Sequence, residues 1–189
     1  MSESAPVSRT RLLVAFALVY LVWGSTYLAI RFAIETAPPF LMASARFLVA
    51  GAMIYLWARL RGAERPTAVH WRSAAIIGCA LFLFGNGGVV WAEQYVPSGL
   101  AALLVATVPL WIVLFEWWLP GGSRPPLAVW LGVLVGLFGV GLLVQPGSAS
   151  GGSERYLAGA LALVVASIVW SLGSLYSRRA ALPKSMPLT

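Results

Sequence analysis

Five stretches of this chain, Leu12–Ile30, Ser73–Ala92, Gln94–Phe115, Pro125–Ser153 and Tyr156–Ser177, contain no Asp, Glu, Lys or Arg. Each reaches the roughly 20 residues a helix needs to cross the hydrocarbon of a bilayer. A sixth stretch, Phe40–Ala58, is interrupted only by Arg46. A soluble domain carries about 25% charged residues, and here 10% are charged and 60% hydrophobic. The fold expected is an all-α membrane protein, a polytopic bundle of six transmembrane helices in contact with the lipid bilayer. Although Arg9 and Arg11 precede the first run, it is longer than a signal-peptide core and no small-residue cleavage site follows it, so it reads as an uncleaved span.

The net charge of +7 follows the loops. With residues 1–11 as a cytoplasmic tail, ten of the 13 basic residues fall on the inner side: Arg9, Arg11, Arg59, Arg61, Arg65, Arg72, Arg124, Arg178, Arg179 and Lys184. Arg155 alone falls in an outer loop, and Arg31 and Arg46 lie in or at the edge of spans. That asymmetry is the positive-inside pattern. It explains the basic excess without a nucleic-acid partner and predicts a multi-pass plasma (inner) membrane protein with a cytoplasmic N-terminus.

The first and last spans echo one another. "WGSTYLAIR" places Arg31 eight residues after Trp23, and "WSLGSLYSR" places Arg178 eight residues after Trp170. The alignment matches Tyr20 with Ser167 and Tyr27 with Ser174, giving each helix a polar stripe on one face. Pro38-Pro39 and Pro187 then follow at similar distances. A correspondence of spans one and six makes a five-helix unit, and an odd number of spans inverts the next copy, the mark of many secondary transporters. The expected organisation is one repeat over 12–153 and the truncated start of a second over 154–189.

"LVWGSTYLAIRFAIETAPPFLMASARFLVAG", "GNGGVVWAEQYVPSGLAALLVATVPLW" and "GLFGVGLLV" resemble the EamA-domain proteins of the drug/metabolite transporter superfamily, nearest to its inner-membrane metabolite exporters. The resemblance implies ten spans in two inverted halves and export of small organic solutes, such as amino acids or drugs, by alternating access. The alternative is a non-transporting or degenerate membrane subunit that needs a partner to complete its cavity.

A charge at the bilayer centre costs about 2.5–3.5 kcal/mol on insertion scales, so an embedded one needs a partner or a task. Arg46 is eight residues beyond Pro38, roughly 12 Å along a helix. It can hold an anionic substrate group or a carboxylate; the plainer reading is a structural ion pair or a bond to backbone carbonyls. Phe82, Asn86 and Glu93 fall on one face of the third span by helical spacing, with Gly85, Gly87 and Gly88 around them. Small residues there allow close packing or flexing, and no strand is available for a phosphate loop. Glu93 reads as a proton-carrying or cation-attracting group, or as an ordinary interfacial carboxylate. Glu35 and Arg31 are spaced for a local ion pair.

Trp23 and Tyr27, with Tyr20 and Arg31, form one face of the first span, suited to a cavity or to plain packing. The substrate-binding set expected is Trp23, Tyr27, Arg46, Asn86, Trp91, Glu93 and Ser174, around a small-molecule substrate. Pro109 removes a hydrogen bond inside the fourth span and bends it. Gly132 and Gly136 form a G-x-x-x-G pair that suits helix contact within the chain or a homodimer. Cys79 reads as inert packing within the third span and His70 as a solvated loop residue. With no Asp, one His and six scattered Glu, no acid/base pair or metal cluster assembles at a usable spacing. The chain is expected to be no enzyme and to need no cofactor or metal.

Overall fold

A computed structural model describes residues 8–119, 124–143 and 153–183. The described residues form helices without strands: α1 Arg9–Thr36, α2 Pro39–Leu60, α3 Ala68–Gly78, a π-helical segment Cys79–Asn86, α4 Gly87–Ala92, α5 Ser98–Val105, α6 Val108–Trp118, α7 Leu127–Leu143 and α8 Ser153–Ser177. Five runs are long and apolar enough to cross a membrane: Arg9–Thr36, Pro39–Leu60, Ala68–Ala92, Ser98–Trp118 and Glu154–Ser177. The expected fifth span is described as α7, 17 residues that are apolar throughout. Residues 144–152, and Lys184 and Pro187, lie outside the described residues.

Local chemistry sets the ends. Ala37 is extended (φ −127°, ψ 144°), as the residue before a proline tends to be. Pro39 then opens α2 where its missing N–H is harmless. Beyond α2, Gly62 takes φ +85°, the left-handed conformation that ends many helices. At the start of α3, His70 donates its backbone N–H to Thr67 Oγ1, and His70 Nδ1 accepts from the Thr67 N–H. His70 thus lies in the first turn of α3 as a capping residue rather than in a loop.

Pro109 breaks the fourth span more sharply than a bend. α5 stops at Val105, and α6 restarts at Val108 after Ala106 and Thr107. Thr107 Oγ1 donates to the Leu104 carbonyl at 2.6 Å.

α8 forms the seam of the bundle, running antiparallel to the π segment and α4 and parallel to α5 and α6. The backbones close through glycines. A Cβ on Gly85 would stand 2.7 Å from the Trp170 ring, one on Gly88 3.0 Å from Ala166, one on Gly159 2.7 Å from Val96 and one on Gly173 2.7 Å from Ala80. At such distances nothing larger than hydrogen fits without displacement. Ser167 donates to Leu163 O at 2.8 Å and reaches Leu104 O at 3.3 Å; Ser171 donates to Ser167 O at 2.7 Å and reaches Val108 O at 3.1 Å. The two serines thus bind α8 to both sides of the α5–α6 break. α1 and α2, by contrast, turn large apolar side chains such as Leu21 and Leu48 outward. That surface is suited to lipid, because helices satisfy their backbone internally.

Candidate functional site

The expected site residues separate into two polar groups along the third membrane run, and the remainder lie apart. The first group is Arg46 with Asn86. Arg46 Nη2 donates to Asn86 Oδ1 at 3.4 Å, and its guanidinium carbon stands 4.5 Å from the centre of the Phe47 ring. Arg46 Nε is buried without a hydrogen-bond partner. Among the described residues no carboxylate pairs with Arg46; the structural ion pair is not formed. Asn86 Nδ2 in turn donates to Leu81 O, five residues earlier, at 3.3 Å. This bond closes the wide turn of the π segment. A π-bulge often marks a functional position, and here it aims an amide at a half-buried cation. Beside the pair, a groove of about 690 Å³ between α2 and the third run is lined by Phe40, Phe47, Cys79 and Phe82, among other apolar residues. Cys79 is exposed rather than packed inside.

The second group is Glu93 with Arg31 and Tyr27. Glu93 lies in the connection 93–97 between two spans and is fully buried, at 0% exposure. Both of its carboxyl oxygens lack a hydrogen-bond partner. Arg31 donates to the main-chain carbonyl of Glu93 at 2.6 Å. A cation there complements the C-terminal end of α4. The expected local pair with Glu35 is replaced by this tertiary bond. Burial pushes the Glu93 carboxyl up to about 7, against a smaller opposing effect of Arg31. Tyr27, one turn before Arg31, packs against the same buried cluster. The interfacial alternative for Glu93 is overturned: it faces protein.

The other expected residues are distributed. Trp23 is 56% exposed and meets Trp170 edge to face at 6.2 Å, so the two tryptophans of the sequence echo touch. Trp91 packs on Tyr95 at 5.2 Å. Ser174 is half-buried, and its carbonyl accepts from Ser177 Oγ at 2.8 Å. Gly132 and Gly136 have open space around them. Sequence reasoning passed over the partner of Arg178, which forms an ion pair with Glu116, and the bonds of Ser167 and Ser171. The i, i+4 spacing of those serines was the available signal.

The sequence profile of the EamA-like transporter family matches residues 10–145. The chain belongs to that family. That family, within the drug/metabolite transporter superfamily, is one of membrane transporters and points to transport rather than catalysis. An inner membrane transporter of Escherichia coli (strain K12), YedA, itself uncharacterised, is 42% identical over 172 residues, covering 90% of this chain and 54% of that protein. The aromatic amino acid exporter YddG of Ancylobacter novellus is 31% identical over 179 residues, covering 89% of this chain and 58% of that protein. A solved crystal structure superposes with a TM-score of 0.61 at 29% identity, over 86% of this chain and 56% of the other. The chain spans a little over half the length of these relatives. With its apolar helices, the likeness to inner-membrane transporters makes it a multi-pass inner membrane protein.

Proposed function

We propose that this protein is the transport unit, or part of one, of a secondary exporter for small organic solutes bearing a carboxylate. The observation that carries this reading is Arg46: a guanidinium inside a membrane-spanning run, facing a neutral amide and an aromatic ring, with one buried nitrogen unbonded. Leaving such a group unpaired is costly, and a carboxylate arriving with the solute would offset that cost through charge-assisted hydrogen bonds. Phe47 and Phe82, whose rings lie 4.6 Å apart, supply an apolar wall beside it. The name of one relative as an aromatic amino acid exporter makes aromatic amino acids the first solutes to test.

In this reading Trp23, Tyr27, Arg46, Asn86, Trp91, Glu93 and Ser174 border the transport path, the N-terminus is cytoplasmic, and two inverted units, 12–153 and the one beginning at 154, rock about the seam to expose the path alternately. The test is efflux of labelled L-phenylalanine from proteoliposomes containing the chain. The expected result is efflux above protein-free vesicles that falls about tenfold in Arg46→Ala, the effect of losing a charged hydrogen bond. Equal efflux in Arg46→Ala would remove Arg46 from the path.

A second reading, a subunit that completes its cavity with another copy, is supported by the open space at Gly132 and Gly136, where α7 borders a groove of about 370 Å³ against Pro109 and Leu110. Disulfide cross-linking of Gly132→Cys in a Cys79→Ser background tests it; a cross-linked dimer in native membranes is the expected outcome of that reading.

A further inference from the structure

We infer that Glu93 is a proton-binding site, occupied in the conformation seen here, and that Arg31 takes over the carboxylate when the proton leaves. An ionised carboxylate enclosed by protein needs donors or a cation, yet both Glu93 oxygens are without partners. A cation stands close by, because Arg31 binds the main-chain carbonyl of this same residue at 2.6 Å. A guanidinium so placed would turn to a carboxylate if one were charged, since the ionic bond is the stronger. Its choice of the carbonyl fits a neutral Glu93.

The surroundings assign the charge balance. α1 brings Tyr27 and Arg31 to Glu93, and Glu35 of the same helix is exposed. α8 brings Tyr156, buried in the same cluster, with Arg155 and Glu154 exposed beyond it. α5 contributes the apolar Leu100 and Ala101. On α2, Arg46 is held by Asn86, seven residues before Glu93, or about 10 Å along a helix. Gln94 turns away to donate to Trp91 O at 3.1 Å. Among the described residues no cluster of His, Cys, Asp or Glu surrounds the site as a metal would need, which favours a proton over a metal cation. On release, the carboxyl O–H breaks, the proton passes to water at that end of the bundle, and the carboxylate accepts from Arg31. That exchange moves the tie between α1 and the end of α4 from the main chain of Glu93 to its side chain.

The site itself is independent of the solute. Its coupling to flux rests on the transport reading, so the experiment separates the two. Difference infrared spectra of the chain in lipid nanodiscs, taken between about pH 5 and pH 9 to bracket a buried carboxyl, are expected to show the carbonyl stretch of a protonated carboxyl group lost on raising the pH. The band should be absent in Glu93→Gln. If Glu93→Gln does not fold, Arg31→Gln serves, because removing the cation should move the band's midpoint to higher pH. A titrating band that persists in folded Glu93→Gln, or a midpoint unmoved in Arg31→Gln, overturns the site. With the band present, L-phenylalanine efflux that depends on a pH gradient in the wild type and not in Glu93→Gln supports the coupling. A present band with gradient-independent efflux overturns the coupling alone, and a present band with no efflux of any carboxylate solute counts against the transport reading and leaves the site standing.

Discussion

Two arginines, each eight residues after a tryptophan of the same sequence echo, meet two different glutamates at opposite ends of the bundle. At one end Glu93 is wholly buried, and Arg31 binds its main chain. At the other, Glu116 and Arg178 pair side chain to side chain while remaining 46% and 58% exposed. The same residue types thus carry different physics. An exposed pair is screened and contributes little, whereas a buried carboxyl controls packing, protonation and the approach of α1 together.

The sharpest way to break the comparison is to reverse charge at both ends. Glu93→Lys would set a cation beside Arg31 inside the protein and should cost about 3 kcal/mol or more, read as loss of folded protein in detergent. Glu116→Lys should cost about 1 kcal/mol or less, with folding retained. The buried end should also impose a pH dependence. The Glu93 carboxyl, raised to about 7 from an ordinary 4.5, is stabilising in its protonated form. Its contribution is complete below the ordinary value and is lost as pH rises toward 7. Denaturation temperature should therefore fall across that interval in the wild type, and Glu93→Gln should flatten the slope.

Between the two ends, the glycine seam offers a second contrast. Gly159→Val places a side chain against Val96 and should cost about 2 kcal/mol through overpacking, whereas Gly136→Val, with open space around it, should change stability by about 0.5 kcal/mol or less. A large loss at Gly136 in native membranes but not in detergent would instead reveal a partner on α7. The two arginines should separate by a smaller margin than the two glutamates. Arg31→Gln should cost about 1 kcal/mol, the value of one partly exposed hydrogen bond, and Arg178→Gln about 0.5 kcal/mol. Only the second should vanish in 1 M salt, where the screening length is about 3 Å.

Much of this molecule was legible in its sequence for a simple reason: a bilayer imposes length and composition on whatever crosses it. The charge-free runs located α1, the third and fourth runs and α8, and the prolines located the α1–α2 turn and the α5–α6 break. The crowding of glycines at 85–88 announced close packing, realised against Trp170 and Ala166. Arg46 and Asn86 were both singled out, but nothing in their spacing said that they would meet across two helices. The π turn was invisible because it inserts no residue type of its own; it depends on the Asn86 amide reaching Leu81 O and on the fit of Trp170. Glu93 was noticed, and placed near the end of its span where it lies, but its burial was not readable. Proximity to a span end is a matter of sequence, whereas burial depends on what α1 and α8 bring to it. Arg31 likewise had a plausible neighbour in Glu35, and the tertiary carbonyl prevailed because the end of α4 has unsatisfied oxygens to offer.

The serines of α8 have one more consequence. Each hydroxyl makes its shorter bond within α8, to Leu163 O or Ser167 O, and a longer one to Leu104 O or Val108 O on either side of the break. The elbow at Pro109 is thereby pinned to α8 above and below, so the two halves of the fourth span cannot change their angle without carrying α8 with them.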